Sequence, residues 1–210
     1  MRSYYPEWIY LASQSPRRSQ LLDQLGISHT ILLPGAEEDA EALENQRPGE
    51  APKTYVTRVT GLKLDAALSR LQRRELPSAP VLCSDTTVAL GRTIFGKPQT
   101  HAHACEMLKA LSGKTHRVLT AVAIGDGVHR VSVCSESRVR FDQIEQQELA
   151  NYVATDEPMG KAGSYAVQGR AAAFIAHISG SYSGIMGLPL YETSQALKAF
   201  GDVRSKKTGK

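Results

Sequence analysis

The chain has 210 residues, 41% of them hydrophobic and 22% charged, with a formal net charge of +4. These values suit one substantial globular domain or two small lobes, and no apolar run approaches the roughly 18 residues that a membrane span needs. Three widely spaced cysteines, Cys83, Cys105 and Cys134, fit reduced thiols better than a disulfide framework; with no secretory pattern at the N-terminus, the expected location is the cytoplasm.

Trp8 to Leu11 predicts a strand. Ser15, Pro16 and Gly26 then predict the cap, first position and stop of a short helix, with Leu21, Leu22 and Leu25 on its buried face. Arg17 and Arg18 fall in the first turn, where each cation opposes the helix dipole by roughly 0.3–1 kcal/mol. Such a turn makes sense around an anion. Free backbone N–H groups, two guanidinium forks and the hydroxyls of Ser13 and Ser15 would converge on it. The spacing therefore reads as a phosphate cradle; two solvated arginines on a surface helix are the alternative.

His29 to Leu33 predicts a second strand, ended by Pro34-Gly35. An acidic loop follows with Glu37, Glu38, Asp39, Glu41 and Glu44, long enough to form a lid. Lys53 to Leu71 has helical periodicity and carries Lys63. Val81 to Cys83 reads as a short buried strand with Asp85 at its end, followed by Val88 to Leu90 and a returning Thr93 to Phe95. Thr100 is the expected cap of a helix through Leu111. The segments 116–124 and 128–141 flank Gly125-Asp126-Gly127, a hairpin signal. A short amphipathic helix is predicted over 145–153, a Gly-rich loop with Gln168 over 156–169, a strand over 172–178 and a last helix over 188–200, closed by Gly201. Residues 203–210 read as a basic, frayed tail. Irregular alternation with an antiparallel hairpin predicts an α/β fold with a mixed sheet, not a doubly wound parallel one.

Three motif-like stretches fail on chemistry. Gly91 to Lys97 spells most of a P-loop, but Pro98 offers no hydroxyl for Mg²⁺. Gly180 to Gly184 has the spacing of a hydrolase elbow with Tyr182 where the nucleophile belongs. His101, His103 and Cys105 cannot share one face of a helix. The surviving set is Glu37 or Glu38, Lys63, Asp85, Lys97 and Gln168, beside Arg17-Arg18. Together these supply what metal-assisted attack on a phosphate needs: carboxylates for a cation and a proton, and cations for phosphate oxygens.

The motif Ser13-x-Ser15-Pro16-Arg17-Arg18-x-x-Leu21-Leu22 resembles the signature of the Maf-like nucleotide pyrophosphatases. The resemblance continues in order through Ser84-Asp85-Thr86, Gly96-Lys97-Pro98, Ser112-Gly113-x-Thr115-His116, Asp156-Glu157-Pro158, Lys161-Ala162-Gly163-x-Tyr165, Gln168-Gly169, Gly180-Ser181-Tyr182 and Gly187-Leu188-Pro189-Leu190. It implies an elongated α/β fold of the Maf and inosine-triphosphatase-like type, with two lobes around a central cleft and one catalytic domain over residues 1–202. It also implies cleavage of a nucleoside triphosphate between its α and β phosphates, a divalent cation (Mg, Mn or Co) and a cytoplasmic enzyme.

By position, Asp85 matches the family's proton acceptor and Glu38 an acidic residue serving the metal or the water; both are the expected metal ligands. Arg17, Lys63 and Lys97 match phosphate contacts, and Ser13 and Arg18 of the cradle complete the substrate-binding set. Arg17, Thr86 and Gln168 match the positions that set base preference in the branch acting on dTTP and UTP. The alternatives are the sister branch acting on 7-methyl-GTP, which typically lacks the paired arginines, and a nucleic-acid-binding regulator. The latter lacks an aromatic platform with interleaved basic residues. Neither a membrane nor a nucleic acid is an expected partner, and a homodimer is left open.

Overall fold

A computed structural model describes residues 5–39 and 42–208, with side chains as far as Arg204; Glu41 of the acidic loop, the Lys206 and Lys207 side chains and Lys210 lie outside the described set. Seven strands form one mixed sheet in the order β2-β1-β3-β5-β6-β7, with β4 also paired to β3. They are β1 (Ile9–Leu11), β2 (His29–Ile31), β3 (Val81–Leu90), β4 (Thr93–Phe95), β5 (Thr115–Gly125), β6 (Arg130–Phe141) and β7 (Ile175–Ser179). The pairs β1–β2 and β1–β3 are parallel and the remainder antiparallel. The mixed α/β sheet expected from the chain is therefore present.

Side-chain alternation along the strands divides the core between two faces. Ile9, Leu11 and Leu82 face α1 (Pro16–Gln24) and the last helix, packing with Leu22, Leu188, Leu197 and Phe200. Their neighbours Tyr10, Val81 and Cys83 face the opposite way, onto Leu64, Ala67 and Leu71 of α2 (Pro52–Arg73). At the far end of the sheet, Val88, Val118, Val139 and Phe141 pack on α3 (His101–Leu111) and α4 (Gln146–Val153).

Thr100 caps α3 by accepting from the His103 N–H at 3.1 Å, as its position predicts. The 115–125 and 130–141 hairpin also forms where the glycines place it. Four expectations differ. First, β3 is one unbroken ten-residue strand, so Asp85 lies at its centre and not at its end. Ser84, Asp85, Thr86 and Thr87 pair in register with Val122, Ala121, Thr120 and Leu119, and the side chains of Ser84, Asp85 and Thr86 find polar partners instead of a turn. Second, Arg170–Phe174 is a 3-10 turn, and the strand begins only at Ile175. Third, α5 (Tyr182–Met186) is an additional short helix, capped by the Ser181 side chain. Fourth, α6 (Leu190–Thr208) runs through Gly201. A helical glycine costs only about 1 kcal/mol, and beyond it the Arg204 guanidinium lies over the Phe200 ring and 3.4 Å from Asp126.

Candidate active site

The arrangement of β3 makes the site. Its parallel partner β1 pairs with it only at Val81 and Leu82, and its antiparallel partner β4 pairs with it only from Val88 to Leu90. Between them β3 is paired on one edge alone, by β5. A cavity of about 470 Å³ opens at this gap, where the sheet changes from parallel to antiparallel pairing. Such switch points leave backbone and side chains free to meet a ligand. Asp85 reaches the cavity from the α2 face of β3, and Thr86 from the α1 face.

One wall is the start of α1. Residues Ser13 to Arg18 all line the cavity. Ser15 sits at the cap position without a side-chain hydrogen bond to the helix, and no acidic residue occupies the first turn. Instead the Ser13 hydroxyl accepts from the Ser15 N–H at 3.1 Å and from Arg18 Nη1 at 3.2 Å. The helix N-terminus thus keeps its positive end for an anion.

The two arginines have different jobs. Arg18 is packed in: its Nε donates to the Gly187 carbonyl at 2.8 Å and its Nη2 to Thr86 Oγ1 at 3.5 Å. Burial pulls its pKa below the ordinary arginine value. Arg17 lines the cavity and, among the described residues, makes no hydrogen bond or ion pair.

The opposite wall is an ion-pair chain. Lys63 Nζ, on α2, lies 2.5 Å from Asp85 Oδ1 and 2.8 Å from Glu44 Oε1. Glu44 in turn accepts from Lys97 Nζ at 3.1 Å on both oxygens. Burial works against the charged lysine, but the two carboxylates hold the Lys63 pKa above its ordinary value. Burial likewise opposes the Glu44 carboxylate, and Lys63 and Lys97 more than offset it, leaving its pKa low. Asp85 is 8% exposed, and its Oδ2 has no hydrogen-bond partner among the described residues.

The third wall is the segment 160–168. It contributes Lys161, Tyr165 and the exposed Gln168. Burial, followed by the nearby Arg17 charge, lowers the Lys161 pKa.

The fold therefore brings Ser13, Arg17, Arg18, Lys63, Asp85, Thr86, Lys97 and Gln168 to one cavity. Glu38, expected beside Asp85, is placed elsewhere. Its carboxylate is gripped by Arg70 Nε at 2.9 Å and Nη2 at 2.6 Å, by Arg73 Nη2 at 2.9 Å and by the Gly35 N–H. The Arg70 hydrogen bonds lead in holding its pKa down to about 2. The physical reason is Arg70: it is only 4% exposed and needs a counter-charge.

Glu44, Lys161 and Arg70 line the cavity without having been singled out from the sequence. In the sequence Glu44 is one more charge in an acidic loop, and nothing in the pattern distinguishes Arg70. Lys161 did carry a signal, since it opens the Lys161-Ala162-Gly163-x-Tyr165 motif.

Among the described residues no three His, Cys, Asp or Glu side chains gather as a ready metal site. Asp85 and Glu44 do meet across Lys63. Two carboxylates of this kind suit a hard cation that takes its remaining oxygens from phosphates and water, so the donor set fits a divalent ion bound together with substrate.

Comparison with known proteins matches residues 8–200 to the family described as Maf-like protein. A protein of Albidiferax ferrireducens named dTTP/UTP pyrophosphatase is 67% identical over 195 residues, covering 93% of this chain and 98% of that one. Proteins of the same name from a Polaromonas species and from Cupriavidus pinatubonensis are 60% and 57% identical. They cover 93% and 91% of this chain, and 96% of each relative. With Arg17, Lys63, Asp85, Thr86, Lys97 and Gln168 gathered at one cavity, and with this similarity along nearly its whole length, the chain belongs to the Maf-like protein family.

Proposed function

We infer that this chain is a nucleoside triphosphate pyrophosphatase acting on dTTP and UTP. The relatives supply the substrate. The observation that carries the chemistry is Asp85, central in β3 with one carboxylate oxygen open, in a cavity ringed by Arg17, Lys63, Lys97 and Lys161.

Four cations and a helix N-terminus neutralise a triphosphate along its length. Arg17 and Lys161 take the oxygens nearest α1. Lys63 and Lys97 take those nearest Asp85, exchanging Glu44 for phosphate. Lys63 also fixes Asp85 Oδ1, which aims Oδ2 at a water. Asp85 accepts that water's proton as its oxygen bonds to the α phosphorus, and the bond from the α phosphorus to the bridging oxygen breaks. The products are the nucleoside monophosphate and pyrophosphate. A divalent cation (Mg²⁺, Mn²⁺ or Co²⁺) held by Asp85 and Glu44 would offset phosphate charge and acidify water when bound. Glu38 acts on the cavity at one remove, by holding Arg70 in its wall. Thr86 and Gln168 meet the base, since contacts to the triphosphate cannot tell one base from another. Residues 1–202 act as one catalytic domain, and a cytoplasmic location suits a nucleotide substrate. No helix of the described residues is long and apolar enough to cross a membrane.

The test is a panel of dTTP, UTP, CTP, GTP and 7-methyl-GTP, with pyrophosphate and monophosphate measured together, with and without Mg²⁺ or Mn²⁺. Equal molar release of both products from dTTP and UTP is expected. Release of orthophosphate instead, or preference for 7-methyl-GTP, would overturn this reading.

A further inference from the structure

We propose that Thr120, a buried residue of β5 outside the cavity lining, sets base preference by forcing the Thr86 hydroxyl to face the substrate as a hydrogen-bond acceptor only. The inference rests on the pyrimidine triphosphate reading above.

The argument is a count of one proton. A threonine hydroxyl has one hydrogen to donate and two lone pairs. Thr120 Oγ1 lies 2.7 Å from the Gly184 carbonyl oxygen and 2.9 Å from Thr86 Oγ1. A carbonyl can only accept, so the Thr120 hydrogen points to Gly184. The contact between the two threonines then requires Thr86 to be the donor. The Thr86 proton is thereby turned inward, along the sheet, and its lone pairs remain. Arg18 Nη2, 3.5 Å away, can itself only donate and approaches one of them.

The geometry is fixed from both sides. Thr86 and Thr120 are directly opposed in the antiparallel β3–β5 register, which keeps their side chains on one face within reach. Thr120 is 1% exposed, so no water competes for its hydrogen. Gly184 lies in α5, and its carbonyl also accepts the Gly187 N–H at 3.0 Å.

An acceptor beside a guanidinium donor has a defined complement. The pairing edges of thymine and uracil carry an N3–H donor between two carbonyl acceptors. Cytosine carries a bare lone pair at N3. The Thr86 lone pair welcomes the first and repels the second, and Arg18 or the Gln168 amide can serve a flanking carbonyl. A site that leaves polar groups mismatched rejects the wrong ligand more sharply than one that merely lacks a contact. Thr120 is thus a positioning residue: it touches no substrate and acts through Thr86.

The experiment measures kcat/KM for UTP and CTP on the wild type, Thr120→Val and Thr120→Ser. The wild type is expected to favour UTP by roughly tenfold or more, the scale of one mismatched hydrogen bond. Thr120→Val keeps the shape, and with no hydroxyl to receive the Thr86 proton it frees that proton for cytosine N3. The UTP-to-CTP ratio should fall by roughly tenfold, with CTP gaining in absolute terms. Thr120→Ser should restore the wild-type ratio. General damage to the fold would lower both substrates together and leave the ratio unchanged.

If Thr120→Val does not fold, Thr86→Val removes the acceptor itself and must also lower the ratio. An unchanged ratio in a folded variant, or a wild type that uses CTP as well as UTP, overturns the proposal and leaves pyrophosphatase activity standing. A wild type that releases no pyrophosphate from UTP overturns the functional reading, and this proposal with it.

Discussion

At the scale of single residues, the carboxylates divide by partner. Asp85 shares Lys63 with Glu44 inside the cavity, whereas Glu38 is spent on Arg70 and Arg73. Asp85→Asn keeps the size of the side chain but can neither accept the proton nor pair with Lys63. Its kcat should drop by roughly a hundredfold or more, the range of a lost general base; steady-state pyrophosphate release checks this, and activity within about tenfold of wild type removes Asp85 as the base. Glu44→Gln and Glu38→Gln should then separate. The first raises the Mg²⁺ concentration giving half-maximal activity and weakens Mn²⁺ binding by calorimetry, while the melting temperature stays near wild type. The second leaves Mn²⁺ binding intact but lowers the melting temperature by several degrees, because a guanidinium that is 4% exposed loses its carboxylate. The opposite pattern would make Glu38 the cation's ligand.

Among the elements, the segment 160–168 is positioned by one glycine. Gly163 has φ of 68°, in the left-handed region, and a Cβ there would stand 2.8 Å from a Val88 methyl of β3. Its N–H donates to the Gly96 carbonyl at 3.0 Å. This one residue therefore ties the strip bearing Lys161 and Gln168 to the turn bearing Lys97. Gly163→Ala should cost at least about 1–2 kcal/mol from backbone conformation alone, before the contact with Val88. Both Lys161 and Gln168 would shift with the segment, so kcat/KM for dTTP and UTP should fall with the loss of stability, as denaturant titration and kinetics on one preparation would show. Full activity in the variant would mean that the strip is not held through Gly163.

For the whole molecule, His116 links the sheet to that same segment. It is 1% exposed, lies 2.8 Å from the Tyr165 hydroxyl and packs edge-on against Phe141. Burial lowers its pKa from 6.5 to about 4 in the folded chain. Between those values the unfolded chain takes up a proton that the folded chain refuses. Stability should therefore fall as pH drops from about 6.5 to about 4, by up to about 3 kcal/mol, and this contribution should level off below. Chemical denaturation across that range tests it, and His116→Gln should flatten the slope. At the other end of the molecule, the end of α6 packs near Asp126 at the tip of the β5–β6 hairpin, and among the described side chains none of α6 lines the cavity. A chain ended after Asp202 should keep its kcat/KM within about twofold while melting slightly lower. A large loss of activity in the folded, shortened chain would place the tail in the chemistry.

What the sequence determines by itself is local. Pro16 after Ser15, Thr100 before a helix and Gly125-Asp126-Gly127 between two strands are decided by backbone conformation and short-range hydrogen bonding, and these elements stand where the residues put them. Arg17-Arg18 in an uncompensated first turn suits an anion, because a helix dipole acts within one turn, but the same two residues also read as solvated surface charges until the fold places both at the cavity. Only the tertiary structure decided the rest. Asp85 is central in a strand because β5 pairs alongside it, which four consecutive polar residues do not reveal. Glu44 enters the cavity and Glu38 leaves it because of Lys63, Lys97 and Arg70. These partners are distant in the chain, and long-range ion pairs leave no periodicity. The donor sense of Thr86 depends on Thr120 and on a carbonyl of α5. A proton's direction is set by the last partner in its hydrogen-bond chain, and folding alone brings that partner into place.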